Sequence, residues 1–373
     1  MVVLDVRIDN FYGFHNFKLN LSYPKKIVGS MLEEYLDGFP NFRYKKVVAI
    51  MGANAAGKTT FGKMLNNIFL FLMTNNYIWL TSAINNPEKV ASFSIDIVGE
   101  KARLQRISCK INPNKERKYS TRDITLSASG EDIRSRDNYE TCCARLDNKI
   151  SVSATKNEWG KEDLGTLSWY IIPSENSNDG LELPSKSNVF PKVLEAVMKT
   201  LDPSIKKVSR FSASGIQNAY ILYGNGESII LHKGTKISET YLSSGTKSGV
   251  KISAVLSSML EHECSLYYCD ELFPYVHAEV EKAMLSLMIS AIGKNEQLFF
   301  TTHDTEILDL QMPMHAFVFF KKDVNDKSCP IKCISASDYL KRNTDVLKKA
   351  VENDLFSVMP QVEELFRLEE YIQ

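Results

Sequence analysis

Gly52-Ala53-Asn54-Ala55-Ala56-Gly57-Lys58-Thr59 carries glycine at its first and sixth positions, followed by lysine and a hydroxyl residue. This G-x-x-x-x-G-K-[ST] spacing lets a loop turn its backbone N–H groups inward around a polyanion, while the N-terminus of a following helix adds partial positive charge. Lys58 supplies a mobile cation for the outer phosphates of a nucleotide, and the Thr59 hydroxyl is a ligand for Mg²⁺. The bland alternative is a glycine turn with a solvated lysine. It is disfavoured because the pattern has the context it needs, an apolar run before it and helical spacing after it.

Binding alone does not hydrolyse a phosphoanhydride; a metal organiser and a base are also needed. Leu266-Tyr267-Tyr268-Cys269 is an apolar run ending in Asp270-Glu271, which sets two carboxylates at the C-terminal edge of a sheet, where open α/β sheets hold their ligands. In that place Asp270 would hold the Mg²⁺ hydration shell and Glu271 would orient and polarise the attacking water. One helix and one strand further on, Leu298-Phe299-Phe300-Thr301 ends in Thr302-His303-Asp304. A histidine at that edge could donate to the γ-phosphate or to the water, although a lone histidine at a strand end is more often a satisfied loop residue.

The elements that must position these groups are legible from periodicity. Lys46 to Met51 is a continuous apolar run, as expected of a strand buried on both faces. Phe61, Met64, Leu65, Ile68, Phe69 and Leu72 then recur at helical spacing up to Met73. Upstream, Val3 to Ile8 and Phe17 to Leu21 alternate as two short strands, and a loop and a polar helix are expected to lead into Lys46. From Tyr241 onward helices (Thr246 to His262, His277 to Ile292) alternate with apolar strands (Ser265 to Cys269, Gln297 to Thr301, Ala316 to Phe320), which predicts a mostly parallel sheet with helices on its faces. Between Asn76 and Glu239 the chain is richer in Ser, Lys, Asn and Asp. It reads there as antiparallel strands (Ala91 to Val98, Arg103 to Ile111, Asp123 to Ser127, Ser168 to Pro173, Ala219 to Tyr223, Ser228 to Leu231) with a helix near Val189 to Leu201. Neither a long heptad run nor an internal repeat is present.

The 373 residues are 44% hydrophobic and 24% charged, which excludes a disordered or fibrous chain, and 45 basic residues balance 45 acidic ones. A globally basic nucleic-acid binder is thereby excluded, though not a local positive groove. Seven cysteines without a Cys-x-x-Cys pair read as reduced thiols. The apolar run Ile68 to Met73 is far short of the ~20 residues a membrane span needs, and the opening MVVLDVRIDNF has no secretory pattern. The expectation is a cytoplasmic protein with no membrane partner.

Four motifs fall in order: the loop extended by Thr60, Leu242-Ser243-Ser244-Gly245-Thr246, Asp270-Glu271, and Thr302-His303-Asp304. Together they resemble the head of an ABC-type ATPase. The second motif is similar to the family's L-S-G-G-Q signature; by itself a serine-glycine turn capping a helix needs no further function. Asn54 matches the asparagine of the family's loop, whereas Ala55 departs from its glycine. Ser244 and Thr246 also depart from the transporter signature and are similar to the form found in SMC-like and OLD-like ATPases, and His277 looks like the D-loop histidine of that branch.

The resemblance implies a P-loop NTPase of α/β class, an ABC-type ATPase head with a mostly parallel core sheet, an antiparallel β lobe and an inserted region. Residues 1–75 and 240–373 would form the head and 76–239 the β lobe with the insertion. ATP and Mg²⁺ would be the cofactors. Gly52, Asn54, Ala55, Ala56, Gly57, Lys58, Thr59 and Thr60 would line the nucleotide, and Thr59 and Asp270 would hold the metal. Glu271, His303 and Lys58 would be catalytic. Ser243 and Gly245 of a second copy would cap the γ-phosphate in a head-to-tail dimer.

The interval from Lys58 to Ser243 is longer than in transporters, and no coiled coil interrupts the head. The residues after His303 are expected to form a strand and two helices, without room for a Toprim nuclease among them. The expected function is a slow ATPase that senses a trigger and controls a separate effector, a nuclease, in the manner of PARIS-type or Septu-type anti-phage systems. The alternatives are a DNA-repair or SMC-like head and a nucleotide-gated scaffold with little turnover. For the repair reading the basic residues Lys101, Arg103, Arg106, Lys110, Lys115, Arg117 and Lys118 are either a phosphate track or a solvated strand face.

Overall fold

The computed structural model describes residues 1–25, 30, 32–148, 152–154, 166–174, 183–184, 187–213, 216–224, 226, 228–232, 243–310, 312–340 and 347–356. In chain order the elements are β1 (Val2–Asp9), β2 (Phe17–Asn20), β3 (Tyr35–Leu36), β4 (Phe39–Arg43), β5 (Val47–Met51), α1 (Lys58–Thr74), α2 (Ile78–Ser82), β6 (Ala91–Val98), β7 (Arg103–Ile111), β8 (Ile124–Asp132), α3 (Tyr139–Asp147), β9 (Val152–Ala154), β10 (Trp169–Ile172), α4 (Phe190–Leu201), β11 (Lys207–Ala213), β12 (Ile216–Tyr223) and β13 (Ser228–Leu231). They continue with α5 (Ser244–Leu260), β14 (Leu266–Asp270), α6 (Ala278–Ala291), β15 (Gln297–Thr301), β16 (Phe317–Lys322), β17 (Ile331–Ser335), α7 (Ala336–Tyr339) and α8 (Leu347–Glu352).

A six-stranded sheet runs β10-β14-β15-β5-β16-β17, and every neighbouring pair in it is parallel except β16 with β17. Its strands are apolar throughout because both faces are covered. The period of two then sorts the side chains. Val48 and Ile50, Leu266 and Tyr268, Phe299, and Val318 and Phe320 enter one core, packed with Phe61, Met64, Leu65, Ile68 and Phe69 of α1. Val47, Ala49 and Met51, Tyr267 and Cys269, Leu298 and Phe300, and Phe317 and Phe319 enter the other core, packed with residues of α5, α6 and α8.

The far side of the first core is closed by a second six-stranded sheet, β2-β1-β6-β7-β8-β9, antiparallel at every pairing. It contributes Val6, Ile8, Phe93, Ile95, Ile97, Ile107 and Cys109 to that core. Helix α1 is therefore held between two sheets, and the loop before it is fixed at the seam. A third, three-stranded sheet, β11-β12-β13, packs with α4 against Val250 and Ala254 of α5.

Among the described residues no helix precedes Lys46; residues 32–45 contain a short β-ribbon instead. Gly38 turns the chain between β3 and β4 at φ 81, and Leu36, Phe42 and Tyr44 are buried in a cluster with Tyr139 and Leu146 of α3. A glycine at a left-handed turn flanked by alternating apolar residues is a hairpin signal that outweighs the polar composition. The segments Ser168 to Pro173 and Ala219 to Tyr223 are strands as expected, but β10 joins the parallel sheet beside β14. All seven cysteines are free thiols, and no helix among the described residues is long and apolar enough to cross a membrane.

Candidate nucleotide site

Parallel register brings three strand ends level. Asp270 stands opposite Thr301 across β14 and β15, and Thr301 stands opposite Ile50 across β15 and β5. The turn that leaves β5, the acid pair that leaves β14 and the Thr302-His303-Asp304 turn that leaves β15 therefore share one edge.

At the loop, Gly52 has φ 151, and a Cβ there would stand 2.3 Å from the Phe320 carbonyl oxygen, so the β16 backbone leaves room only for glycine. Ala55 adopts φ 62, the left-handed conformation, at the place where the ABC-type pattern has glycine. Gly57, at φ 100, precedes a helix start with no side-chain cap and no acidic residue in its first turn. Its N–H groups and partial positive charge are left for an anion. Lys58 is 5% exposed. Its ammonium donates to the carbonyl oxygens of Gly52 (2.7 Å) and Ala53 (3.3 Å) and lies 4.0 Å from Glu271 Oε1. Burial pulls its pKa below the ordinary lysine value, and the Glu271 and Asp270 carboxylates partly oppose that. Asn54 and Ala55 are exposed, Ala56 is buried, and Thr59 and Thr60 are half-buried.

Asp270 is 2% exposed. One carboxylate oxygen accepts from Thr301 Oγ1 at 2.7 Å, and the other, Oδ2, is buried with no hydrogen-bond partner. An orphaned carboxylate oxygen of this kind, close enough to Lys58 to act on its charge, suits a divalent cation with hard-oxygen preference. The Asp270 carboxylate thus fits Mg²⁺. Thr301 Oγ1 also accepts from the Glu271 backbone N–H at 3.0 Å, holding Glu271 at φ 44. That residue borders a cleft of about 410 Å³ with Thr302, His303, Asp304, Tyr275 and Glu281. His303 is 71% exposed, and its Nδ1 is 3.7 Å from Glu271 Oε1, beyond a hydrogen bond but on the same side of the site.

Lys58, Asp270, Glu271 and His303 thus meet. Ser243 and Gly245 lie elsewhere. Ser243 caps α5, its Oγ accepting from Thr246 N at 3.2 Å and sharing a 2.6 Å hydrogen bond with Thr246 Oγ1. Gly245 lies against Tyr275, with a Cβ there 3.0 Å from the Tyr275 carbonyl oxygen, and Ser248 Oγ donates to Pro274 O at 3.2 Å. Leu242 lies outside the described residues. The turn 271–277 therefore joins the two halves: Glu271 at one end faces Lys58, and Pro274-Tyr275 at the other backs the start of α5. His277 caps α6, its Nδ1 accepting from Glu279 N at 3.3 Å.

Residue-by-residue reading missed Thr301, Tyr268 and Gly62. Tyr268 O–H donates to the Lys58 carbonyl at 2.6 Å, and a Cβ at Gly62 would stand 2.5 Å from the Tyr268 ring. The acid-pair strand is thereby pinned directly to the first turn of α1. A hydroxyl residue closing an otherwise apolar strand was the available signal for Thr301. Of the basic residues weighed as a phosphate track or a solvated face, several have partners within the chain. Arg106 pairs with Asp96 and Asp147, Lys115 with Glu88, Lys118 with Glu116, and Arg117 donates to the carbonyls of Ile84 and Asn85.

No protein-family model matches the chain, and no curated protein matches its sequence. Among solved structures it is similar to an SMC head bound to the C-winged helix domain of ScpA, at 12% identity and TM-score 0.53, covering 92% of this chain and 100% of that one. It is also similar to an SMC head domain with an extended coiled coil bound to the C-terminal domain of ScpA, derived from Pyrococcus furiosus. There the identity is 10% and the TM-score 0.51, over 91% of this chain and 98% of that one. The chain has the α/β fold of an SMC head domain.

Proposed function

We propose that this chain is an ATPase in which ATP, held on the loop 52–60, is hydrolysed by water activated at Glu271. The observation that carries this reading is the convergence of a buried Lys58, an Asp270 with one unpartnered oxygen, and Glu271 with His303 on one sheet edge. Lys58 exchanges its carbonyl partners for β- and γ-phosphate oxygens, a charge-assisted contact. Glu271 accepts the water's hydrogen bond, and His303 turns its ring toward the γ-phosphate. Mg²⁺, held by Thr59 and Asp270, would neutralise developing charge on the phosphates. The test is steady-state hydrolysis of wild type against Glu271→Gln; equal rates would remove Glu271 from the role.

The reading extends to assembly. Ser243, the Gly245 N–H and the positive end of α5 would complete the γ-phosphate site of a second copy, so that ATP joins a head-to-tail dimer and hydrolysis releases it. The likeness of fold to SMC heads and the exposed start of α5 support this. Such a dimer would control a separate effector, a nuclease, in anti-phage defence, in the cytoplasm; that part rests on the motif resemblance. Pairing of Arg106 with Asp96 and Asp147 weighs against the repair reading, for which addition of duplex DNA should raise hydrolysis. A scaffold with little turnover would change little on Glu271→Gln.

A further inference from the structure

Thr301 belongs to none of the motifs considered above, yet its side chain touches both acids of the site. It closes β15, a strand otherwise apolar from Leu298 to Phe300, and is 2% exposed. In the parallel sheet it stands level with Asp270 on one side and, on the other, with Ile50 of β5, the strand that leads into the nucleotide loop. Its hydroxyl carries a single proton, and the neighbours fix where that proton goes. An ionised carboxylate only accepts, so Thr301 donates to Asp270 Oδ1 at 2.7 Å. A backbone amide only donates, so Thr301 accepts from Glu271 N–H at 3.0 Å. A β-branched side chain has few χ1 rotamers, and this one is held on a strand paired along both edges. A valine would fill the same volume, so packing alone does not account for the hydroxyl. Asp270 Oδ2 is left buried without a partner among the described residues. Glu271 is left-handed at φ 44, a conformation that a non-glycine residue keeps only where its surroundings impose it.

We propose that Thr301 is the positioning residue of the hydrolytic site, one hydroxyl that leaves Asp270 Oδ2 for the divalent cation and sets the Glu271 carboxylate for the attacking water. This rests on the ATPase reading above and deepens it. Through Asp270, the donated proton occupies Oδ1 and stops the carboxylate turning about its terminal bond, so the oxygen without a partner is the one left for a cation. Through Glu271, the accepted N–H holds the first residue of the turn after β14. The side chain leaves that turn with Oε1 4.0 Å from Lys58 Nζ and 3.7 Å from His303 Nδ1. The two tasks share one group, so cation binding and water activation are lost together when the hydroxyl is removed. A partner of this kind, which holds a ligand without touching the ion, typically contributes about 10–100-fold in metal affinity or activity.

The experiment uses the full chain as wild type, Thr301→Val, Thr301→Ser, Thr301→Ala and Glu271→Gln, with two readouts. The first is calorimetric titration with the non-hydrolysable ATP analogue AMP-PNP, in EDTA and again in excess Mg²⁺. In EDTA, where the loop 52–60 acts without a cation, Thr301→Val should bind the analogue as wild type does. In Mg²⁺ it should lose about tenfold or more of the tightening that the cation gives wild type. The second readout is hydrolysis at saturating Mg²⁺ and ATP, where kcat of Thr301→Val should fall about 10–100-fold. Thr301→Ser, which keeps the hydroxyl, should restore both. If the valine variant does not fold, serine against alanine gives the same comparison, since those two differ in the hydroxyl alone. A merely structural threonine would lower stability with no Mg²⁺-dependent loss. A Mg²⁺ effect that is absent from wild type or unaltered in Thr301→Val therefore overturns the proposal, as do serine and alanine variants impaired alike. Wild type that hydrolyses no ATP, or no faster than Glu271→Gln, would remove the ATPase reading and this inference with it. An unaltered kcat in Thr301→Val beside an impaired Glu271→Gln overturns this inference alone.

Discussion

Ala55 and Glu271 both adopt left-handed backbone, a conformation that costs an L-residue about 1–2 kcal/mol, and both border the candidate nucleotide site. At Ala55 the strain serves no side-chain contact, since the residue is exposed. Ala55→Gly should therefore stabilise the chain by about 0.5–1 kcal/mol after the extra freedom of glycine in the unfolded chain is subtracted, seen as a higher urea midpoint. At Glu271 the side chain is the reason for the position. Glu271→Gln should retain ATP binding and lower hydrolysis by about 10²–10⁴-fold, measured as phosphate release beside an equilibrium binding titration.

Glu281 supplies a residue-scale prediction about pH and stability. Burial, reinforced by Asp304, raises its pKa in the folded chain to about 7 from an ordinary value of 4.5, so the folded state holds the proton more tightly than the unfolded state. Stability contributed by the protonated carboxyl is present at low pH and lost as pH rises from 4.5 through 7. Glu281→Gln should accordingly raise the thermal midpoint by a few degrees at pH 8 and by less at pH 5. A rise of equal size at both pH values would contradict the burial account.

Among elements, the contact that matters most is between α1 and β14, where Tyr268 donates to the Lys58 carbonyl and its ring fills the space beside Gly62. Overpacking such a site costs about 1–3 kcal/mol. Gly62→Val should lower stability by that amount and also weaken ATP binding, because the first turn of α1 carries Lys58 and Thr59; a calorimetric titration of nucleotide beside a denaturant curve separates the two effects. The crossing of α4 over α5 is equally close, with a Cβ at Gly249 standing 2.5 Å from Leu201 Cδ1. This ties the module of α4 and β11 to β13 to the helix whose first residues are the proposed cap for a second nucleotide.

At the scale of the molecule, ATP with Mg²⁺ should roughly double the mass of Glu271→Gln in light scattering, and Ser243→Arg should abolish that shift. A shift that survives Ser243→Arg would exclude the proposed trans contact. Tyr275, 76% exposed, lies on the turn that backs the start of α5.

Contiguous chemistry was legible in the sequence because its parts are neighbours along the chain. The loop 52–59 with its lysine and threonine, the acids that end β14, the histidine after β15, and the strands and helices whose period of 2 or 3.6 sorts apolar residues all follow from local spacing. The ribbon before Lys46 is not legible for the same reason: its polar composition points to a helix, and the pairing that favours β3 and β4 lies in their contacts with each other and with α3. Only the tertiary structure decided that Thr301 would bridge Asp270 and Glu271, that Tyr268 would hold Lys58, that β10 would extend the parallel sheet, and that Glu281 would line the cleft beside Glu271. Each depends on strand order and register between segments far apart in the chain. Local sequence cannot encode that alignment, because it is selected by the joint burial of several elements at once.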